Sequence, residues 1–133
     1  WLEYYEDIFT ELKDNDNKNV ERKWAEFIID KDSKDKKRKR LKGFGPKQSR
    51  NLLQSLGLTK YETPVDSRIT KWLHKFGFPI ELSSTALADK NYYNFVLDGF
   101  QALCEESGIF PCVLDAAIFS SFDTEWPEDK LIW

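Results

Sequence analysis

The chain has 133 residues, of which 41% are apolar and 32% charged, enough to fold as one ordinary domain. No apolar run approaches the roughly 20 residues of a membrane span, and no signal-peptide pattern opens the chain, so a membrane-free, intracellular setting is expected. Two cysteines cannot build a disulfide framework or supply four thiolates to zinc or an iron–sulfur cluster.

The net charge of −3 hides a strong asymmetry. Residues 31–50 hold ten Lys/Arg against two acids, whereas residues 81–133 hold ten acids against two lysines. A basic stripe on an acidic body can still bind phosphate locally, and it can equally be a solvated charged segment.

Trp1, Leu2, Tyr5, Ile8, Phe9 and Leu12 follow helical spacing, which predicts a helix over 1–13. With no Met in the chain, this is the pattern of a domain entered mid-structure. Asp14 to Asn19 is a polar break, and Val20, Trp24, Phe27 and Ile28 predict a second helix over about 20–29. Lys34 to Leu41 reads as a short basic helix. Gly43-Phe44-Gly45-Pro46 is a tight turn, with Pro46 suited to open the next helix. That helix turns Leu52, Leu53 and Leu56 inward and stops at Gly57. Thr63-Pro64-Val65 is extended. Asp66 caps a helix carrying Ile69, Trp72, Leu73 and Phe76 to Gly77. A loop runs to about Ala88. A long helix follows, with Tyr93, Val96, Leu97, Phe100, Leu103 and Cys104 as its stripe, ending at Gly108. A last helix spans Phe110 to Phe122, with Val113, Leu114, Ala117, Ile118 and Ser121 on one face. No strand and no repeat emerges, so the expected fold is a single all-α domain over 1–133.

The densest chemistry lies in Leu41-Lys42-Gly43-Phe44-Gly45-Pro46-Lys47-Gln48-Ser49-Arg50. A short helix, a two-glycine hairpin and a second helix present backbone N–H groups at a positive dipole end, an anion site by construction. Lys42, Gly43, Phe44, Gly45, Gln48 and Arg50 are the expected DNA contacts. A plain helical corner would carry the same pattern.

The Gly43-Phe44-Gly45-Pro46-Lys47 hairpin, with Pro64-Val65-Asp66-Ser67-Arg68 after it, resembles the helix-hairpin-helix DNA glycosylase superfamily. The hairpin would span about 34–56. A hairpin lysine followed nineteen residues later by an aspartate is similar to its bifunctional branch, the 8-oxoguanine DNA glycosylase/AP lyases. The resemblance covers residues 40–78 and, less closely, 92–122, where Ala116-Ala117-Ile118-Phe119-Ser120 matches that branch's C-terminal helix. It implies base-excision repair on double-stranded DNA holding a damaged base or abasic site, by a monomer without a required cofactor. Lys47 would attack C1′ of the damaged nucleotide. Asp66 would stabilise charge on the sugar and help deprotonate the lysine, and a Schiff base would lead to β-elimination 3′ to the lesion. Backbone carbonyls of Lys39, Leu41 and Phe44 would hold a monovalent or calcium ion. Arg68 stands where the pattern often has a backbone-contacting histidine.

Asp115 and Phe119 would line the base pocket, but the 8-oxoguanine enzymes place glutamine where Asp115 aligns, and an ionised carboxylate only accepts hydrogen bonds. Asn51 departs from a base-stacking position. The family's usual helices and β-domain ahead of the hairpin are also missing from these 133 residues, which fits a chain lacking N-terminal portions of the full fold.

The residues alone support a similar chemistry. A helix N-terminus disfavours an ammonium at Lys47 and favours a carboxylate at Asp66, a workable pair for nucleophilic attack and oxocarbenium stabilisation. Each residue also has a plain use, Asp66 as a cap and Lys47 as a phosphate contact. Three functions therefore stay open: a glycosylase/AP lyase, a non-catalytic helix-hairpin-helix DNA-binding module, and a scaffold using the acidic half.

Overall fold

Local capping sets where most helices begin and end. The computed structural model describes residues 2–29, 43–79, 82, 83 and 85–122, with backbone alone for residues 2–5. Among these, all regular structure is helical: α1 (Leu2–Leu12), α2 (Lys18–Ile29), α3 (Pro46–Ser55), α4 (Ser67–Phe76), α5 (Lys90–Ser107) and α6 (Pro111–Phe122), with one 3₁₀ turn at Ala86–Ala88. The expected basic helix 34–41 lies outside the described residues.

The Asn-rich break between α1 and α2 is built from side chains. Asn15 Oδ1 accepts the Asn17 N–H, and Asn17 Oδ1 accepts the Asn19 N–H at 2.9 Å. This chain of Asx turns starts α2 at Lys18, two residues ahead of its apolar stripe. Gly77 takes φ +95° at the end of α4, and Phe78 N–H reaches back to the Leu73 carbonyl at 2.9 Å. A side chain at that φ would be strained.

Two apolar clusters form. Ile8 and Leu12 of α1, Trp24, Ala25 and Ile28 of α2, and Leu53 of α3 make one with Leu58. Ile69 and Leu73 of α4, the α5 stripe and Ile118 of α6 make the other. A polar seam links them. Arg50 of α3 and Glu62 of the following loop are both wholly buried and ion-paired at 2.8 Å. Arg50 also donates to Asn94 of α5 at 2.9 Å, lies over the Tyr93 ring, and reaches the Pro46 carbonyl. Arg22 of α2 joins Glu62 at 2.9 Å and Asp98 of α5 at 2.6 Å. Buried Glu21 accepts the N–H groups of Lys60, Tyr61 and Glu62 at 2.8–2.9 Å, organising that loop.

The last helix departs from expectation. Pro111, Leu114 and Ile118 turn inward, whereas Val113 (55% exposed) and Ala117 face out. The helix is apolar almost all round, so periodicity does not choose a face. Packing against α4 and α5 chooses it.

The extended segment before α4 is pinned by Tyr93. Its hydroxyl accepts the Val65 N–H at 2.6 Å and donates to the Thr63 carbonyl at 3.1 Å. Burial pushes the phenol far above its ordinary range. Tyr93→Phe is expected to leave the buried Val65 N–H unpaired and to lower stability by about 1–3 kcal/mol. Thermal unfolding of the two proteins measures this, and equal midpoints would mean that Val65 has another acceptor.

Candidate active site

The first turn of α3 and the start of α4 both line one cleft of ≈ 610 Å³. Lys47 and Asp66 both line it, together with Gly45, Gln48, Thr70 and Lys71. Pro46 occupies the first position of α3, after Gly45 as N-cap. The Gln48 side chain accepts the Gly45 N–H at 3.1 Å, half of a capping box, since glycine has no side chain to reciprocate. The Ser49 N–H enters the ladder at the Gly45 carbonyl, and Pro46 has no N–H. Helix geometry therefore leaves the Lys47 and Gln48 amides outside the ladder, at the positive end of α3. Gly43 adopts φ +82°, a left-handed conformation that favours glycine. The exposed Lys47 side chain is free to approach a ligand in the cleft.

Asp66 is a true N-cap. Its Oδ1 accepts the Arg68 and Ile69 N–H groups at 2.8 and 3.2 Å. Its Oδ2 holds the Arg68 guanidinium through Nε at 2.9 Å and through a second nitrogen at 2.7 Å. Burial pushes the carboxyl up, but the Arg68 side chain, the two backbone donors and the Arg68 charge outweigh it, and Asp66 sits below its ordinary value. It thus stays ionised at neutral pH. Such a carboxylate stabilises nearby positive charge well and takes up a proton poorly.

Arg68 links Asp66 to the expected base pocket. Its guanidinium carbon lies 4.0 Å from the Phe119 ring centroid, a cation–π contact. Asp115 accepts a hydrogen bond from Gln54 Nε2 at 2.7 Å. Burial pushes its carboxyl up and the Gln54 bond opposes this, while the Asp66 charge adds to the rise and Arg68 reduces it. The fold thus assembles Asp66, Arg68, Phe119 and Asp115, drawn from the start of α4 and from α6. Gln54, which holds Asp115, carried no signal in the sequence beyond its place one turn after Arg50.

The remaining expected site residues differ in their placement. Arg50 is a correction: at 0% exposure, with its donors committed to Glu62, Asn94 and Pro46, it cannot reach a phosphate. Its role is to join α3 to the loop and α5. Gln48 spends its side-chain oxygen on Gly45. Phe44 packs, half-buried, on the α1–α2–α3 cluster, which ties the turn before Pro46 to the core. Asn51 is exposed. Lys39, Leu41 and Lys42 lie outside the described residues. Among the described residues no group of three or more His, Cys, Asp or Glu could hold a metal, and no helix is long and apolar enough to cross a membrane.

No protein-family model matches the chain, and no curated protein or solved structure matches it.

A pH effect follows from Asp66. Because its folded-state value is lowered, the stability it contributes is present above the unfolded carboxylate range, about 4, and is lost as pH falls through the folded value. Asp66→Asn keeps a cap but cannot titrate. Its unfolding midpoint is expected to fall less steeply than wild type below about pH 4. Parallel melting curves across pH 2.5–7 measure the difference, and identical slopes would remove the assignment.

Proposed function

We propose that the chain is a base-excision DNA N-glycosylase with AP-lyase activity, built on a helix-hairpin-helix motif. One observation carries the reading. Lys47 and Asp66, nineteen positions apart, line the same cleft, one in the first turn of α3 and the other capping α4. The Gly43 conformation and the free amides of α3 support a phosphate seat beside them.

In this reading the damaged nucleotide is flipped out of the duplex at a cost of a few kcal/mol. The neutral amine of Lys47 attacks C1′ as the glycosidic C–N bond breaks, and the base leaves carrying that electron pair and takes up a proton. Asp66 stabilises the positive charge on the sugar; held ionised by Arg68 and the start of α4, it acts through its charge more than as a base. Loss of a proton from nitrogen and opening of the sugar give a Schiff base. Removal of a 2′ proton then expels the 3′ phosphate by β-elimination. Asp115 and Phe119 would receive the base. A carboxylate at position 115 would select a base offering donors.

A second reading is favoured by the full set of partners on Asp66, which suits a structural cap: a helix-hairpin-helix module that holds the DNA backbone without chemistry. Borohydride reduction of the protein mixed with an abasic duplex separates the two. A covalent protein–DNA adduct supports the enzyme, and binding without an adduct supports the module.

A further inference from the structure

The cleft at Lys47 does not end at Asp66. It continues along α4 into a second depression of ≈ 580 Å³, with Thr70, Lys71 and Leu82 in both walls. His74, Lys75 and Phe122 line the far part. Lys71 and Lys75 stand about one helical turn apart, roughly 6 Å along the axis, on the same face.

Most of the other described cations are ion-paired, Lys13 being an exception that lies over the Phe9 ring. Every described arginine, and Lys18, Lys23, Lys60 and Lys90, holds a carboxylate. Lys47, Lys71 and Lys75 have no carboxylate partner among the described residues. Asp66 is the one carboxylate among the described lining residues, and Arg68 neutralises it. On a chain of net charge −3, unpaired lysines gathered along a single groove form a local positive track. Leu82 and Phe122 supply apolar wall beside it, with Lys75 Nζ 5.6 Å from the Phe122 ring centroid.

We propose that this groove along α4 carries the phosphodiester backbone of the DNA strand flanking the reacting nucleotide, with Lys71 and Lys75 on successive phosphates and His74 between them. The assignment rests on the nucleic-acid reading of the Lys47 cleft and extends it from the reacting sugar to its neighbours. A repeating anion matches cations repeated along a groove, and the apolar wall suits sugar faces.

The test is the salt dependence of binding, read by fluorescence anisotropy on a duplex carrying a tetrahydrofuran abasic analogue. The wild-type chain is compared with Lys71→Ala/Lys75→Ala and with Lys18→Ala/Lys90→Ala, whose lysines are already ion-paired. Each lost phosphate contact reduces the slope of log K against log salt by about 0.9. The first pair is expected to reduce it by about 1–2, with roughly tenfold or greater loss of affinity at low salt, and the second to leave it in place. Both lysines of the first pair are exposed, and melting curves verify that the variant is folded; Lys71→Gln/Lys75→Gln is the alternative if it is not. An unchanged slope, an equal change in both pairs, or no DNA binding by the wild-type chain overturns the proposal. The last is also the outcome if the track serves an acidic protein segment. Failure of the enzyme reading is read separately. A lost slope with no borohydride adduct keeps the track and removes the chemistry, whereas a Lys47-dependent adduct with an unchanged slope keeps the chemistry and removes the track.

Discussion

Lys47→Gln is expected to abolish the borohydride-trapped adduct and to slow strand cleavage at an abasic site by about 10⁴-fold or more, the scale of losing a covalent nucleophile. Binding should stay within a few-fold, because glutamine removes one charge from a track that retains Lys71 and Lys75. Lys47 is exposed on the first turn of α3, so the substitution removes no packing. Asp66→Asn should slow base release by about 10²–10³-fold through the lost negative charge while preserving a cap. Cleavage assays on abasic and 8-oxoguanine duplexes, run beside anisotropy binding, separate these effects. A Lys47→Gln protein that cuts abasic DNA at the wild-type rate removes the lysine from the chemistry.

Glu62→Ala should be among the most damaging single changes to the fold. Glu62 is fully buried and receives Arg22 at 2.9 Å, Arg50 at 2.8–2.9 Å and Gln101 at 3.1 Å. Removing it leaves the enclosed Arg50 guanidinium without its counter-charge. Breaking a buried pair in this one-sided way costs about 3–5 kcal/mol, a large share of the 5–15 kcal/mol that holds a typical domain. The midpoint of thermal unfolding should fall by about 10 °C or more. Arg50→Met/Glu62→Leu should recover much of that loss, because it removes both charges from the interior and leaves Arg22 its bond to Asp98. A single variant melting within about 2 °C of wild type would show that the seam does not hold α3 to α5.

The two predictions concern opposite ends of one helix turn. Lys47 and Arg50 are three positions apart on α3, so the turn that presents the lysine to the cleft also drives the arginine into the seam. Arg50 fastens the first turn of α3 by bonding the Pro46 carbonyl at 3.3 Å. Damage to the seam is therefore expected to loosen the placement of Lys47 as well as the fold.

Much of the helical layout was legible without tertiary information. Pro46 after Gly45, Asp66 before Ser67, and glycines at 57, 77 and 108 act within one turn of themselves, through N-caps, a fixed proline φ and left-handed C-terminal conformations. The apolar stripe of α5 identified its buried face for the same reason, and that of α4 did so for Ile69 and Leu73, whereas Phe76, expected on the same stripe, is 61% exposed beyond the last packed turn. Lys47 and Asp66 were legible as a pair only through their spacing and context.

What local signals could not carry is long-range partnership. Nothing in the sequence near Arg50 shows that Glu62 and Asn94 will enclose it, so it read as one more cation in a basic stretch. A helix apolar on every side, such as α6, holds no record of which face its neighbours will take. That Lys71 and Lys75 have no carboxylate partner among the described residues is likewise set by where the acids of other helices fall. Most helices, their ends and the residue types capable of chemistry were readable along the chain, because those depend on contacts within a turn. Which charges are neutralised, which are buried and which share a cleft emerged with folding, because burial and ion pairing are properties of residues brought together from distant parts of the chain.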